Sequence, residues 1–163
     1  MNISVVDSSR ARLVELVRSP GLVLGLFAAT LFLSAALLFS IQPMFAKMVL
    51  PKLGGAPSVW AVAMCFFQAV LLLGYAWAHV LDRFLAPVHA VAAHLGALAI
   101  AFVVLPIALP AFAADPPDGD AYFWLIGVFA AGVGLPFFAV SANAPLLQSW
   151  FARTGHPHGD NPY

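Results

Sequence analysis

Charged residues are scarce in this chain, and where they are missing is more informative than how many there are. Lys and Arg number seven, Asp and Glu also seven, and together they make up 9% of 163 residues. A typical soluble domain has about 25%. None of them falls within four long apolar stretches, at residues 21–42, 57–81, 88–114 and 122–151. Because a charge at the centre of a bilayer costs about 3 kcal/mol on insertion scales, this pattern predicts a membrane protein.

Other absences exclude whole classes of function. The net charge is zero, so there is no basic excess to bind nucleic acid. The single cysteine, Cys65, has no partner for an intrachain disulfide. The sequence has no Walker loop, no dinucleotide fingerprint, no zinc-protease motif and no serine nucleophile elbow. His156 and His158 lack a third ligand nearby, so we predict no metal site. Because the enzyme motifs are missing, we also predict no catalytic residue and no cofactor.

Each apolar stretch is long enough to cross the bilayer as a helix, since about 20 residues are needed. We predict an all-α fold, a polytopic transmembrane helix bundle with four spans at 21–42, 57–81, 88–114 and 122–151. The bundle fills residues 21–151. Residues 1–20 form a cytoplasmic segment that is either a short interfacial helix or a frayed tail, and residues 152–163 form a cytoplasmic tail or connector. Two pairs of prolines should end or bend the third and fourth spans, namely Pro106 with Pro110 and Pro136 with Pro145.

The basic residues predict the orientation of the bundle. With the N-terminus inside the cell, the inner side holds Arg10, Arg12, Arg18, Arg83 and Arg153, and the outer side holds Lys47 and Lys52. Cytoplasmic loops carry an excess of Lys and Arg. We therefore predict that both termini lie in the cytoplasm.

Polar residues within the spans are the candidates for a functional site. Those of the second span lie on one helical face, at Gln68, Tyr75 and His79, with Leu72 between them. Two interpretations are open: a polar track facing a cavity or substrate path, or a stripe of interhelical hydrogen bonds. In the fourth span, Ser141, Asn143 and Gln148 either satisfy carbonyls freed at a broken helix or contact a ligand.

Small residues at a spacing of four indicate where helices approach closely in lipid. Three such stripes occur: Gly21, Gly25 and Ala29; Ala61, Cys65 and Ala69; and Ala93, Ala97 and Ala101. Some matches arise by chance in a chain so rich in alanine. We expect about two of the three stripes to be helix contacts.

A more distinctive pattern follows the first span. It comprises Phe39–Lys47 (FSIQPMFAK), Leu50–Trp60 (LPKLGGAPSVW), Phe67-Gln68, Leu73–Ala76, Gly134–Phe138 and Ser141–Phe151. These segments resemble the N-terminal membrane region of bacterial fused spermidine synthase-like proteins. In that family, helices similar to those of major facilitator transporters precede a soluble aminopropyltransferase-like domain. The resemblance covers roughly residues 21–163.

The resemblance implies a multi-pass domain of the inner (plasma) membrane that anchors the protein and passes polyamine-related small molecules. Relatives continue with further helices and the soluble domain, so we expect a fragment or a truncated relative. Those missing regions and the lipid bilayer are its expected partners. The glycines and the catalytic aspartate of the synthase domain are not in this chain, so transferase activity is assigned to no residue here.

Two alternatives remain open: a fragment of a small-molecule transporter of the major facilitator type, and a non-catalytic membrane scaffold. For a small-molecule substrate, the predicted binding residues are Gln42, Lys47, Lys52, Gln68 and Asn143. Lys47 and Lys52 are expected at the outer surface, where contact with lipid headgroups alone would also account for them.

Overall fold

The computed structural model describes residues 19–53, 56–114, 116–117, 119, 121–157 and 159. The predicted N-terminal segment, with its interfacial-helix alternative, therefore lies outside the described residues except for its last two. His158 and residues 160–163 of the predicted tail also lie outside them.

The regular structure of the described residues is helical. Helix α1 runs over Pro20–Val49 and continues as a 3-10 turn at Leu50–Leu53. Helix α2 spans Pro57–Phe84 and α3 spans Pro87–Val103. All three helices start with a proline, which fits there because the first N–H groups of a helix have no intrahelical acceptor. Helix α1 continues through Pro43, past residue 42, where the predicted span ends.

The fourth apolar stretch is a continuous helical column that changes geometry twice. It contains α4 (Tyr122–Phe129), a π-helical turn (Ala130–Gly134), α5 (Leu135–Ser141) and α6 (Asn143–Ala152). The π turn precedes Pro136, and the break at Ala142 precedes Pro145, because a proline N cannot donate to the helix and its ring clashes with the preceding turn. The predicted distortion by these prolines is confirmed.

Three helical segments are long and apolar enough to cross a membrane: Pro20–Leu53, Pro57–Phe84 and Tyr122–Ala152. Their length and apolar composition are those of membrane-spanning helices, in agreement with the predicted membrane protein. Helix α3 has 17 residues, or about 26 Å at 1.5 Å per residue, slightly less than a hydrocarbon core of about 30 Å. The helix covers only part of the predicted third span of 88–114: α3 ends at Val103, before Pro106 and Pro110, the prolines predicted to end or bend it.

Contacts between chain segments define two opposite ends of the bundle. At the first, Arg153 forms an ion pair with Asp82 at 2.7 Å, and a ring nitrogen of His156 lies 3.1 Å from the Pro20 carbonyl oxygen. At the second, Lys52 Nζ donates to the Ala114 carbonyl at 3.3 Å. We refer to these as the Asp82 end and the Lys52 end.

The helices pack through an aromatic core nearer the Lys52 end. It is formed by Phe45, Phe67, Phe129 and Phe137, which are fully buried, and adjacent ring centroids lie 4.8 to 5.5 Å apart. Gly132 makes room for this cluster, because a Cβ there would overlap the Phe45 ring. Interlocked rings at these separations stabilise a helix contact by about 1 kcal/mol each beyond area burial.

The outer surface of the bundle is apolar. Phe39 on α1, Leu72 on α2 and Phe102 on α3 are 77%, 66% and 74% exposed. In water such side chains would form an aggregating patch, whereas in a bilayer they contact hydrocarbon. The exposed surface is therefore compatible with direct contact with lipid.

Candidate polar groove and buried hydrogen-bond chain

A groove between α1 and α2 is lined by two polar side chains from each helix. It has a volume of about 300 Å³, and its polar lining is Ser34, Gln42, Gln68 and Tyr75. The apolar lining is Leu31, Ala35, Leu38, Phe39, Leu71, Phe137 and Ala144. We call this the polar groove. Its volume lies at the lower end of the range typical of small-molecule sites, about 300–1,000 Å³.

Helical periodicity explains why these residues meet. Ser34 and Gln42 are eight residues apart on α1, two steps of four along one face. Gln68 and Tyr75 are seven apart on α2, again on one face. Among the described residues, none hydrogen-bonds with the Gln42 or Gln68 amide, so both amides are available to a molecule in the groove.

The predicted polar track on α2 is divided between two surfaces. Gln68 and Tyr75 line the polar groove. Leu72 and His79 are exposed and line none of it. The geometry therefore favours a groove-facing role for the first pair and gives no interhelical hydrogen bond to Gln68.

A buried chain of hydrogen bonds joins α3, α6 and α1 beside the groove. The His94 Nε2 and Asn143 Oδ1 atoms are 2.6 Å apart, and Asn143 Nδ2 donates to Ser34 Oγ at 2.9 Å. His94 and Ser34 are 3% and 4% exposed. Because a carbonyl oxygen only accepts, the His94 Nε2 must carry the hydrogen of the first bond. We call this arrangement the buried chain.

The His94 ring has a second nitrogen that this arrangement leaves unsatisfied. Its Nδ1 is buried and has no hydrogen-bond partner among the described residues. The ring also meets Trp150 edge to face, with centroids 6.3 Å apart. A buried polar atom without a hydrogen bond costs about 1–3 kcal/mol. Such atoms are rare in native structures, and each one calls for an explanation.

The break in the fourth apolar column brings Asn143 into this position. At Ala142 the backbone N–H bonds to Val140 O instead of continuing the helix, and Ser141 Oγ donates to the Phe138 carbonyl at 2.7 Å. The prediction that a polar side chain satisfies a carbonyl at the broken turn is confirmed for Ser141. Asn143, in contrast, bonds to other helices.

A second groove in the bundle has an apolar lining and contrasts with the polar groove. It has a volume of about 410 Å³ and lies between α1, α3 and α5, with Leu37, Met44, Leu98, Phe102 and Val140 in its lining. Its walls are almost wholly apolar, and Ser40 is the one lining residue with a hydroxyl group that could orient a polar ligand. It suits contact with hydrocarbon, so of these two grooves the polar groove is the candidate site.

The five predicted site residues fall into three groups. Gln42 and Gln68 line the polar groove, and Asn143 is one hydrogen bond away from it through Ser34. Lys47 and Lys52 are exposed and line none of it, and Lys52 is engaged with the Ala114 carbonyl at the Lys52 end. The two lysines are therefore separate from the site that the other three form.

Sequence reasoning missed Ser34 and His94 as site residues. A signal existed for Ser34, because its spacing to Gln42 repeats the helical period. For His94 the signal was a polar side chain within an apolar span, but nothing local indicated its partner Asn143, 49 residues away along the chain. Among the described residues, no group of three or more His, Cys, Asp or Glu lies together as a metal site would require.

No protein-family model, curated protein or solved structure shows a significant match to this chain. The functional interpretation therefore depends on the geometry above and on the motif resemblance, which stays an expectation.

Proposed function

We propose that this chain is the membrane-embedded N-terminal domain of a fused spermidine synthase-like protein of the bacterial inner membrane. It anchors that protein and passes polyamine-related molecules, linear aliphatic amines, through the polar groove. The observation that carries this proposal is the position of Gln42 and Gln68. They come from separate motifs of the resemblance, and they line one groove of small-molecule size.

The lining of the groove suits an alkylammonium ion. The amide oxygens of Gln42 and Gln68 can accept hydrogen bonds from an ammonium group, and the lining also includes the aromatic side chains Phe39 and Tyr75, a residue type that attracts cations. The leucine side chains contact the methylene groups. No carboxylate is among the lining residues, so each polar contact contributes only about 1 kcal/mol. We expect an affinity of about millimolar, which lets a passing molecule leave again.

In the proposed topology the bundle has four spans and both termini lie in the cytoplasm. The Asp82 end faces the cytoplasm. Arg83 and Arg153 lie at that end, whereas Lys47 and Lys52 lie towards the other. In this arrangement α3 is the short third span. We place residues 104–114, which follow it and contain a 3-10 turn at Ala111–Ala113, at the outer side of the bundle. There Ile107, Leu109 and Ala113 pack against the core, and water can satisfy the exposed backbone groups.

The test is equilibrium binding of radiolabelled putrescine to the purified chain in detergent micelles. We expect saturable binding that weakens about fivefold in each of Gln42→Leu and Gln68→Leu, the equivalent of about 1 kcal/mol. Gln148→Leu is the matched control, because Gln148 lines a different depression, beside Phe27 and Phe151. If the unaltered chain shows no saturable binding, or if all three variants weaken it equally, the passage role is refuted.

A further inference from the structure

The polar groove shows the same pattern on the two helices that supply most of its lining. On each helix a leucine lies between two polar residues, about one helical turn from either of them. These residues are Ser34, Leu38 and Gln42 on α1, and Gln68, Leu71 and Tyr75 on α2. Spacings of three and four residues place each set on one helical face. The groove is therefore polar at two positions along its length and apolar between them.

Buried phenylalanines show how the two sets lie relative to each other. Helices α1 and α2 run in opposite directions, and the rings of Phe45 on α1 and Phe67 on α2 both pack against Phe129, at 5.3 and 5.5 Å. Counted from this common height at about 1.5 Å per residue, facing residues differ in height by about 5 Å or less. The facing pairs are Gln42 with Gln68, Leu38 with Leu71, and Ser34 with Tyr75. We call them the Gln level, the Leu level and the Tyr level.

The two polar levels have hydrogen-bonding groups that are still available. At the Gln level neither amide has a partner among the described residues. At the Tyr level the Tyr75 hydroxyl also has none among them, and this residue is 46% exposed. Ser34 Oγ accepts one hydrogen bond from Asn143, and a hydroxyl oxygen can accept a second. The leucines between these levels offer no acceptor to a charged group.

The distance between the polar levels determines which molecule can occupy both. It is eight residues from Ser34 to Gln42, or about 12 Å along α1, and seven from Gln68 to Tyr75, or about 10 Å along α2. An extended chain of single bonds advances about 1.2 Å per bond, as an extended polypeptide does. About nine bonds therefore connect the two levels. Octamethylenediamine has this number of bonds between its nitrogens.

We propose that the polar groove selects α,ω-diamines whose two ammonium groups lie about 11 Å apart and whose connecting chain is wholly apolar. This inference rests on the proposed function and names the class of amine that the groove admits. One ammonium group donates to the amide oxygens of the Gln level, and the other contacts the hydroxyl and ring of Tyr75. The methylene groups between them contact Leu38 and Leu71.

Two other kinds of amine should bind less well. Putrescine has about five bonds between its nitrogens, or about 6 Å, so it reaches only one polar level at a time. Spermidine is as long as octamethylenediamine but has a third ammonium group within its chain. That group would lie against the Leu level, where it would lose hydration without gaining a hydrogen bond. The groove should therefore distinguish two molecules of equal length by one central charge.

The experiment measures how unlabelled amines displace radiolabelled putrescine from the full chain in detergent micelles. Free amine concentrations are determined against protein-free micelles, so that partition into detergent does not count as binding. Octamethylenediamine should bind about tenfold more tightly than putrescine, because one more hydrogen-bonded ammonium group contributes about that factor. Hexamethylenediamine should be intermediate. Dodecamethylenediamine should bind more weakly than octamethylenediamine, because its chain is too long to lie straight between the two polar levels.

Two amines and two variants separate the second ammonium contact from the effect of a longer apolar chain. Octylamine has the same chain with one ammonium group, and it should bind about tenfold more weakly than octamethylenediamine. Spermidine should also bind about tenfold more weakly. Tyr75→Leu should reduce the advantage of octamethylenediamine over putrescine from about tenfold to about twofold. His79→Leu, a change at an exposed residue of α2 outside the groove, should keep the full advantage.

The amine series on the unaltered chain tests the selection without depending on the folding of a variant. An affinity that rises steadily through dodecamethylenediamine, with octylamine equal to octamethylenediamine, would indicate hydrophobic contact alone and overturn the selection. So would spermidine that binds as tightly as octamethylenediamine, or an advantage that survives Tyr75→Leu. In each of these cases the groove proposal stands. If no amine of the series binds saturably, the groove proposal itself is refuted.

Discussion

Helices α2 and α5 approach closely at Gly74, and replacing that residue by alanine is a direct test of the packing. A Cβ built on Gly74 would overlap Ser141 Oγ and lie 2.9 Å from Ser141 Cβ and 3.1 Å from the Phe138 carbonyl oxygen. The Ser141 hydroxyl is held in place by its 2.7 Å hydrogen bond to that carbonyl. Rotating it away would remove the bond, and the 2.9 Å contact between the two β-carbons would remain.

The expected cost of Gly74→Ala is the difference between two opposing effects. Inserting a methyl group into a packed interface costs about 1–3 kcal/mol. Replacing a helical glycine by alanine returns about 0.5–1 kcal/mol of backbone entropy. We therefore expect a net destabilisation of about 1–2 kcal/mol. It can be measured as a shift of the unfolding midpoint when the chain is titrated with a denaturing detergent, followed by tryptophan fluorescence.

The matched control is Gly96→Ala, because a Cβ at Gly96 meets nothing within 4 Å. That change keeps the entropic gain without the clash, so it should be neutral or stabilise by up to about 1 kcal/mol. Adding Ser141→Ala to Gly74→Ala should restore part of the loss, since it removes the overlapping oxygen but leaves the 2.9 Å contact between β-carbons. If the two glycine variants unfold alike, α2 and α5 do not approach at Gly74 and this account of the packing is wrong.

Two further predictions use the same unfolding assay. Asn143→Leu should destabilise by about 1–3 kcal/mol, because it removes both hydrogen bonds of the buried chain and leaves the His94 N–H without an acceptor; a loss within error would contradict the pairing. Asp82→Asn should cost less than about 1 kcal/mol, because the ion pair with Arg153 is partly solvated, with side chains 32% and 45% exposed. Its effect should fade as salt is added, and a large loss independent of salt would show that the pair is shielded from water.

The sequence predicted that helices exist better than it predicted where they end. Pro43 and Pro106 both follow an apolar run, yet α1 continues through the first and α3 ends three residues before the second. A proline inside a helix loses one hydrogen bond and bends it, and neighbouring packing can offset that cost. After Pro43 the helix still buries Phe45 and Val49, whereas Phe102 and Val103 at the end of α3 are exposed. Burial of the following residues is information that one sequence does not contain.

The stripes of small residues show the same limit in another form. Only Ala93, Ala97 and Ala101 lie against other helices, while Gly21, Gly25 and Ala29 are exposed, as are Ala61, Cys65 and Ala69. The expectation of about two contacts was therefore too high. The tight approach is at Gly74, which belongs to none of the stripes and is identified only by what faces it. Spacing predicts that a close contact is permitted, whereas the partner surface decides whether it forms.

Polar residues within the spans are more predictable than small ones, because a polar group surrounded by hydrocarbon must form a hydrogen bond and a small apolar residue need not. A side-chain amide such as that of Asn143 loses its hydrogen bonds to water when it enters lipid. Leaving it without a new partner costs several kcal/mol, about 2–7 depending on the reference state, so a partner must exist. The sequence could therefore predict that Asn143 is bonded, and it is. Its partners His94 and Ser34 are 49 and 109 residues away, and nothing local selects them over other polar groups. By the same reasoning, the Gln42 and Gln68 amides, which no described residue satisfies, need a partner from outside. Whether that partner is an amine, water or another helix is what the binding experiment decides, because only an amine gives saturable binding that both leucine variants weaken and Gln148→Leu does not.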